Sequence, residues 1–321
     1  MRTITLEEHF ATPAFLDGPG LEVKENPRFA AVVAKLCDIG AGRIALMDAA
    51  GIDMQVLSLT APGLEQTDTA DAIAHARETN DVLAEAVRNH PTRFAGLAAL
   101  PIGAPDKAVE ELERRIKRDG FKGIVINGHN RGRYLDDKFY WPIFEAAEAL
   151  NAPIHIHPTR PPKAVIDASF GGFSPRVTEM FAGPGWGWHM ETGVHVMRLV
   201  LGGVFDRFPR LNLLIGHLGE GLVYMMQRTD SMPPAATGLK HPVSHYLRSN
   251  VYYTFSGFNF APAFLAMLLE LGGVDRIMFS ADHPYQSMEK ARVFLEQIPV
   301  TAADRARIAH GNAERVMGLS S

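Results

Sequence analysis

The chain has 321 residues, 46% of them hydrophobic and 21% charged, so it is long and apolar enough to bury a large core. A formal net charge of −4, with Lys and Arg scattered, excludes the basic surface that nucleic acid requires. The single cysteine, Cys37, excludes an internal disulfide and a cysteine-rich zinc site, so any bound metal needs His and carboxylate ligands. Since no apolar run is long enough to cross a bilayer, we expect a cytoplasmic protein without membrane contact.

Strand-like and helix-like runs alternate from end to end, which is typical of a parallel sheet covered by helices. Eight strands are predicted, at Thr3–Glu7, Met54–Leu59, Phe94–Leu100, Gly123–Ile126, Pro153–His157, Asn212–Gly216, Val251–Thr254 and Arg276–Phe279. Amphipathic helices are predicted at Asp68–Asn89, Pro105–Arg118, Asp137–Leu150 and Thr192–Phe205. This pattern predicts an α/β fold, a (β/α)8 TIM barrel, with residues 1–321 as one domain. The rival, a doubly wound open sheet, lacks its Gly-x-Gly-x-x-Gly turn after the first strand.

Two loop insertions interrupt the alternation after strands 1 and 5, where barrel enzymes usually carry their function. Residues 13–40 contain Phe15, and residues 158–189 are rich in Pro, Gly and aromatic side chains, among them Trp188. We expect both insertions to cover the barrel mouth and to supply aromatic walls for a ring-shaped ligand. The alternative is that the aromatic rings only pack the insertions onto the barrel, and for any single ring this is the more common role.

Ionisable side chains stand at the ends of three of the predicted strands. Glu7 and His9 end the first strand with both side chains on one side, His157 ends the fifth, and Asp282 follows the eighth. Because the C-terminal ends of barrel strands meet at one mouth, we expect these four residues to converge on one cation. Mixed nitrogen and oxygen ligands suit Zn, Mn or Fe better than Ca or Mg. The alternative is that residues 7–9 are only a solvated stretch that closes an edge strand.

The 13 histidines are too many for all of them to be functional. His217 follows the sixth strand and precedes Glu220 in a glycine-rich turn, which places an imidazole and a carboxylate together at the mouth. His155 shares the inward face of the fifth strand with His157 and is expected to support it or to belong to the core. Four others are expected at the surface: His75, His90, His129 and His310.

Short motifs at these residues resemble those of the amidohydrolase-2, or ACMSD-like, decarboxylases. In family order they are Leu6-Glu7-Glu8-His9-Phe10, Ile156-His157-Pro158, Gly216-His217-Leu218-Gly219-Glu220 and Ser280-Ala281-Asp282-His283-Pro284. The resemblance spans nearly the whole chain and favours the nonoxidative hydroxybenzoate type, typified by γ-resorcylate, 2,3-dihydroxybenzoate and 5-carboxyvanillate decarboxylases. Many relatives have Trp or Tyr where His283 stands, so the choice of aromatic acid stays open.

The resemblance implies one divalent metal ion, Zn or Mn, and no organic cofactor. The matching ligands are Glu7, His9, His157 and Asp282. His217 is expected beside the substrate, with Glu220 as its partner. The expected substrate-binding side chains are Phe15, Trp188, His283 and Arg228. Since Arg228 matches an arginine that reaches a neighbouring subunit's site, we expect a homodimer or homotetramer.

The expected reaction releases CO2 from a small ortho-hydroxy aromatic carboxylate. Direct loss would leave an aryl carbanion, which protonation of the ring carbon avoids. Asp282 is the expected general acid and His217 with Glu220 the expected relay, while the metal acts as Lewis acid and template.

Two alternatives remain open at this point. A hydrolase or hydratase of the same superfamily would use metal-activated water on a lactone, amide or unsaturated acid. The Leu-Glu-Glu-His-Phe opening favours decarboxylation, because a lactonase or amidase more often begins with a His-x-His pair. The second alternative, a metal-binding barrel that serves as a ligand sensor, has no extra binding module to support it.

Overall fold

Eight parallel strands form the centre of the structure, a computed structural model that describes residues 1–319. The strands are β1 Ile4–Phe10, β2 Met54–Leu59, β3 Phe94–Ala99, β4 Gly123–Ile126, β5 Ile154–Ile156, β6 Leu213–Ile215, β7 Val251–Thr254 and β8 Ile277–Met278. They pair in sequence order. Backbone hydrogen bonds from Leu6 to Phe279 (3.1 Å) and from His9 to His283 (2.7 Å) join the first strand to the last segment. The predicted (β/α)8 barrel is therefore confirmed.

Helices surround the strands, which are buried along their whole length as in other parallel sheets. They are α1 Pro13–Leu16, α2 Leu21–Glu25, α3 Ala30–Cys37, α4 Ala41–Ala50, α5 Thr69–Asn89, α6 Pro105–Asp119, α7 Trp141–Ala149, α8 Lys163–Ser169, α9 Pro175–Ala182, α10 Gly187–Leu201, α11 Val204–Arg207, α12 Met226–Thr229, α13 Pro234–Thr237, α14 Val243–Ser249, α15 Ala261–Leu271, α16 Met288–Gln297, α17 Ala302–Ala306 and α18 Asn312–Met317. Three-residue 3-10 turns occupy Pro27–Phe29, Lys138–Tyr140 and Val223–Met225, and a π-helical turn occupies Arg307–Gly311. Within residues 1–319, none of the helices combines the length and apolar character of a membrane span.

Helix α6 illustrates how the sequence sets a barrel helix. Pro105 begins it, where a missing N–H costs nothing, and Asp106 lies near its positive end. Gly120 ends it with φ of 70°, a conformation that glycine adopts without a Cβ penalty. Ala108 and Leu112, one turn apart, are buried on the same face. The apolar residues that recur at helical spacing therefore form the buried face of α6, as the sequence predicts.

Some observed boundaries differ from the predicted ones. Strand β1 continues to Phe10, three residues past its predicted end, because residues 8–10 still pair with β2. The helix predicted to begin at Thr192 begins at Gly187 and breaks at Gly202, where Gly203 takes a φ of 73° before α11. The register of β1 against β2 shifts between Thr5 and Glu8, which is a β-bulge.

The two inserted segments are built largely of short helices. Residues 13–40 form α1, α2 and α3, and the Leu36 carbonyl of α3 accepts a hydrogen bond from Ala11 N–H at 3.0 Å. Residues 158–189 form α8, α9 and the start of α10. Both segments follow the C-terminal ends of their strands, so they stand at the same end of the barrel.

Candidate metal and acid–base site

The four predicted metal ligands lie together at the mouth of the barrel. His9 Nε2 is 3.2 Å from Asp282 Oδ1, and His157 Nε2 is 3.9 Å from Glu7 Oε1. The rings of His9 and His157 stand edge to face with 4.7 Å between centroids. All four residues are at most 8% exposed. Side chains separated by up to 275 positions therefore form one compact, water-poor cluster.

The bulge in β1 explains how Glu7 reaches this cluster. The bulge leaves one extra residue between the paired positions, and Glu7 takes a φ of 67°, a left-handed conformation that is uncommon for a residue with a side chain. Thr254 Oγ1 donates to Glu7 Oε2 at 3.0 Å, and Ser256 Oγ donates to the same oxygen. Glu7 Oε2 is thus anchored, while Oε1 faces the histidines.

The unsatisfied polar atoms of the cluster fit a bound cation. Glu7 Oε1, both ring nitrogens of His9 and of His155, and Nδ1 of His157 are buried without a hydrogen-bond partner among residues 1–319. Leaving such atoms unpaired costs roughly 1–3 kcal/mol each, so their concentration at one place requires an explanation. A divalent ion that takes nitrogen and oxygen ligands would pair with these atoms and so explain them.

Electrostatics give three of the four predicted ligands, Glu7, His9 and His157, the protonation states that ligation requires. Burial lowers the pKa of His9 to about 3 and that of His157 well below its usual range, so both rings are neutral. Burial acts to raise the pKa of Glu7, but His217, His155 and His157 outweigh it and hold that pKa well below the usual value. Neutral imidazoles and an ionised carboxylate are the forms that bind metals.

His217 and Glu220 form a second, hydrogen-bonded group next to Glu7. His217 Nδ1 is 2.7 Å from Glu220 Oε1 and 3.6 Å from Glu7 Oε1. Burial acts to lower the pKa of His217, but the charges of Glu220 and Glu7 raise it to about 10. The turn that carries the pair has positive φ values at His217 (48°) and Glu220 (53°), so the backbone is tightly wound here.

The peptide groups on either side of Asp282 are held by the buried carboxylate of Glu8. Glu8 Oε1 accepts from Ala281 N–H at 2.8 Å, and Glu8 Oε2 accepts from His283 N–H at 3.1 Å and from Gln55 Nε2 at 3.2 Å. Asp282 itself has a φ of 62°. Burial raises the pKa of Glu8 to about 8, and the N–H donors and Arg43 oppose that rise. Glu8 therefore fixes the backbone from which the Asp282 carboxyl projects.

The Asp282 carboxyl is shifted toward its protonated form, unlike the carboxyl of Glu7. Burial raises the pKa of its carboxyl well above the usual value; His217 opposes the rise, and the charges of Glu7, Glu8 and Glu220 add to it. Its Oδ1 lies 3.2 Å from His9 Nε2, and the charge of His217 is near enough to act on it.

Gly216 offers a direct check on the position of Glu7. A Cβ on Gly216 would lie 2.4 and 2.5 Å from the two carboxylate oxygens of Glu7, closer than real contacts allow. We expect Gly216→Ala to displace Glu7 and to weaken metal binding by about 10-fold or more, the usual range for disturbing a ligand's supports. Competition with a chelating dye measures the affinity.

Gly311→Ala is the matched control for this variant. Gly311 has a helical φ of −59°, and the nearest atom to its added Cβ is an ordinary 3.8 Å away. Unchanged metal affinity in Gly216→Ala, with the control also unchanged, would contradict the assignment of Glu7 as a ligand.

The four residues predicted to bind substrate occupy different environments. Trp188 is half-buried, and its ring lies 6.5 Å from that of His157. His283 is 5% exposed, and burial lowers its pKa to about 3, so its ring is neutral. Phe15 is fully buried in the first inserted segment, with Gly20 against its ring. Arg228 is exposed on α12. Substrate contact by each stays a prediction.

One histidine interpretation is wrong. His129, expected at the surface, is 5% exposed. Its Nδ1 accepts from Gly132 N–H at 3.0 Å, and its Nε2 lies 3.2 Å from the Arg160 carbonyl. The loops after β4 and β5 thus fold over it, an effect of tertiary packing that its local sequence did not indicate. His75, His90 and His310 are half-buried.

Three polar residues near the site were not assigned a defined role. His155 Nε2 lies 3.6 Å from Glu7 Oε2, consistent with its expected place behind His157. Glu8 was considered only as part of a polar stretch. His189, at the start of α10, has its Nδ1 2.7 Å from Glu220 Oε2. His189 lies in the second inserted segment, and nothing in the sequence around it indicates this contact.

Comparison with known proteins places these features in context. The family model described as amidohydrolase matches residues 9–319. A γ-resorcylate decarboxylase from Polaromonas sp. (strain JS666) is 38% identical over 332 residues, which covers 99% of this chain and 98% of the relative. A crystal structure of a dihydroxybenzoic acid decarboxylase from Polaromonas sp. JS666, with bound manganese and the inhibitor 2-nitroresorcinol, has a TM-score of 0.90 at 37% identity, covering 99% of this chain and 97% of that one. The 5-carboxyvanillate decarboxylase from Sphingomonas paucimobilis has a TM-score of 0.92 at 33% identity, with both chains fully covered.

Proposed function

The chain belongs to the amidohydrolase family, and we propose that it catalyses the metal-dependent, nonoxidative decarboxylation of an ortho-hydroxy aromatic carboxylic acid. The observation that carries this proposal is the convergence of Glu7, His9, His157 and Asp282 beside a separate His217–Glu220 pair. The first group has the donor atoms to bind a cation, and the second can donate and accept protons. Three relatives that cover nearly the whole chain are named as decarboxylases of γ-resorcylate, dihydroxybenzoic acid and 5-carboxyvanillate.

The residues that would hold the metal are Glu7, His9, His157 and Asp282. When bound, a divalent ion supplies a Lewis acid and a template for the substrate carboxylate and its ortho hydroxyl. Manganese is the first metal to test, since the Polaromonas relative was solved with it, and zinc, which favours the same donor atoms, is the second.

Asp282 delivers the proton in the proposed reaction. Its carboxyl gives a proton to the ring carbon that bears the carboxylate, assisted by electron density from the ionised ortho hydroxyl. The bond to the carboxylate carbon then breaks, its electron pair restores the aromatic ring, and CO2 leaves. His217, hydrogen-bonded to Glu220, orients the substrate and returns a proton to Asp282. In the proposed complex Trp188 and His283 contact the substrate ring, and Phe15 supports the first inserted segment.

A substrate panel tests this proposal against hydrolysis. Purified protein is stripped of metal, reloaded with Mn or Zn, and incubated with 2,6-dihydroxybenzoate, 2,3-dihydroxybenzoate, 5-carboxyvanillate, simple lactones and amides. CO2 release together with the change in ring absorbance supports the proposal. Hydrolysis of a lactone or amide without CO2 release from any of the acids would overturn it. Metal analysis of the protein as purified is the first step.

We also propose that the active unit is a homodimer or a larger homo-oligomer. Apolar side chains are unusually exposed on the Val223–Met225 turn and on α15: Tyr224 (47%), Met225 (54%), Leu265 (39%) and Leu269 (81%). Arg228 lies just beyond this turn and is exposed. An apolar surface with an adjacent cation fits a second copy of this chain, into whose site Arg228 would reach.

Leu269→Asp tests this interface. A charge at its centre should raise the concentration at which the oligomer dissociates by about 10-fold or more. Analytical ultracentrifugation over a dilution series measures it. Leu46→Asp on α4, where Leu46 is 38% exposed, is the matched control. If both variants sediment as the wild type does, this surface is not the interface.

A further inference from the structure

His189 lies behind the His217–Glu220 pair and completes a buried hydrogen-bonded group. Its Nδ1 is 2.7 Å from Glu220 Oε2, while the other oxygen, Oε1, is 2.7 Å from His217 Nδ1. The two imidazole rings are 4.6 Å apart between centroids. His189 is 8% exposed and Glu220 2%. One buried carboxylate thus bridges two histidines.

The hydrogen of His189 can be assigned from its neighbours. Trp188 Nε1 lies 3.0 Å from His189 Nε2, and an indole N–H can only donate. Nε2 is therefore the acceptor, and the ring hydrogen is on Nδ1, directed at Glu220. The Pro184 carbonyl, 3.2 Å from Nε2, flanks this contact. His189 thus donates from Nδ1 to Glu220 and accepts at Nε2 from Trp188.

This arrangement restricts the Glu220 carboxylate. With Oε2 held by His189, the carboxylate is not free to rotate, and Oε1 stays directed at His217. His217 then engages Glu220 through Nδ1, which leaves its Nε2 for the reaction. Phe258 packs against both rings, at 5.1 Å from His189 and 4.9 Å from His217. Orientation of an acid–base imidazole by a second, hydrogen-bonded group is a common device in enzymes.

His189 also connects this group to the second inserted segment. It is the last residue of that segment and lies in the first turn of α10, and both Trp188 and Pro184 belong to the same segment. Glu220 and His217 belong instead to the turn after β6. The position of the inserted segment is thereby transmitted to His217 through two hydrogen bonds.

We propose that His189 is a positioning residue that fixes Glu220, and through it His217, and so makes the acid–base group depend on the placement of residues 158–189. The part of this proposal that concerns turnover rests on the proposed decarboxylation. The part that concerns the orientation of His217 does not.

His189→Ala and His189→Asn test the kinetic part. The shorter Asn amide can still donate to Glu220 but does not span to Trp188. We expect His189→Ala to lower kcat by about 10- to 100-fold with KM within about twofold, the range for residues that orient another functional group. His189→Asn should recover most of that loss. The control is His310→Ala, since His310 pairs with Glu314 at 2.9 Å outside the site.

Histidine 15N–1H spectra of the zinc-loaded protein test the structural part without any substrate. The His217 Nδ1–H signal is assigned by its loss in His217→Asn. It should shift or broaden in His189→Ala and reappear near its original position in His189→Asn. Thermal unfolding of each variant establishes that it is folded.

The outcomes separate this inference from the proposed function. Wild-type kcat in His189→Ala, equal losses in the Ala and Asn variants, a change in KM alone, or an unmoved His217 signal would each overturn the positioning role. If the wild-type protein decarboxylates none of the acids, the proposed function fails, and the spectra still decide whether His189 orients His217.

Discussion

Asp282→Asn should reduce decarboxylation by about 100- to 10,000-fold, the effect of removing a positioned general acid. The amide has nearly the same shape and retains an oxygen that can bind a metal, but it has no acidic proton to give to the ring carbon. Burial and the neighbouring carboxylates favour the protonated acid at this position, and the substitution abolishes it. Single-turnover measurements with metal-loaded protein give the rate.

Metal content decides how this result is interpreted. Asp282→Asn should retain most of the bound ion, because the other three proposed ligands, Glu7, His9 and His157, are unchanged. Asp68→Asn, at a side chain that is 75% exposed, is the matched control. Near-normal turnover in Asp282→Asn with metal retained would remove Asp282 from the role of acid. Loss of both metal and turnover would show that Asp282 is needed for metal binding.

Glu8→Ala should destabilise the fold strongly. The substitution removes the acceptor for the N–H groups of Ala281 and His283 and for Gln55, all buried, and leaves Asp38 as the remaining carboxylate that acts on the buried Arg43 guanidinium. The loss of such a buried partner costs on the order of 3–5 kcal/mol. Urea unfolding monitored by fluorescence and circular dichroism measures the free energy of unfolding.

Two further variants make the Glu8 result specific. Glu8→Gln keeps one acceptor oxygen, so its free energy of unfolding should lie between those of Glu8→Ala and the wild type. Glu113→Ala removes an exposed helix ion pair with Lys117 and should cost less than about 1 kcal/mol. An unfolding curve for Glu8→Ala that matches the wild type would mean that other contacts hold the Asp282 backbone.

The barrel could be predicted from the sequence because its signals are local. Each strand is a short, continuous apolar run, and helices such as α6 have regular spacing with recognisable ends. The positions of Glu7, His157 and Asp282 followed from one further rule, that parallel strands present their C-terminal ends at one mouth.

The finer geometry could not be predicted, because it depends on contacts between distant segments. The bulge that turns Glu7 inward is supported by Thr254 and Ser256, almost 250 residues away. Glu8 acts on Ala281, 273 positions along the chain. His189 joins Glu220 only because the segment after β5 folds toward the turn after β6. No pattern within a few residues encodes such pairings.

The direct hydrogen bonds between the start and the end of the barrel have a consequence for biosynthesis. His9 and its backbone partner His283 are 274 positions apart in the chain, so the ribosome makes the first and the last strand of the barrel at well-separated times. Glu7, His9 and His157 are therefore synthesised before Asp282. Under the proposed function, the full set of four ligands can form only after the segment that follows β8 has joined β1.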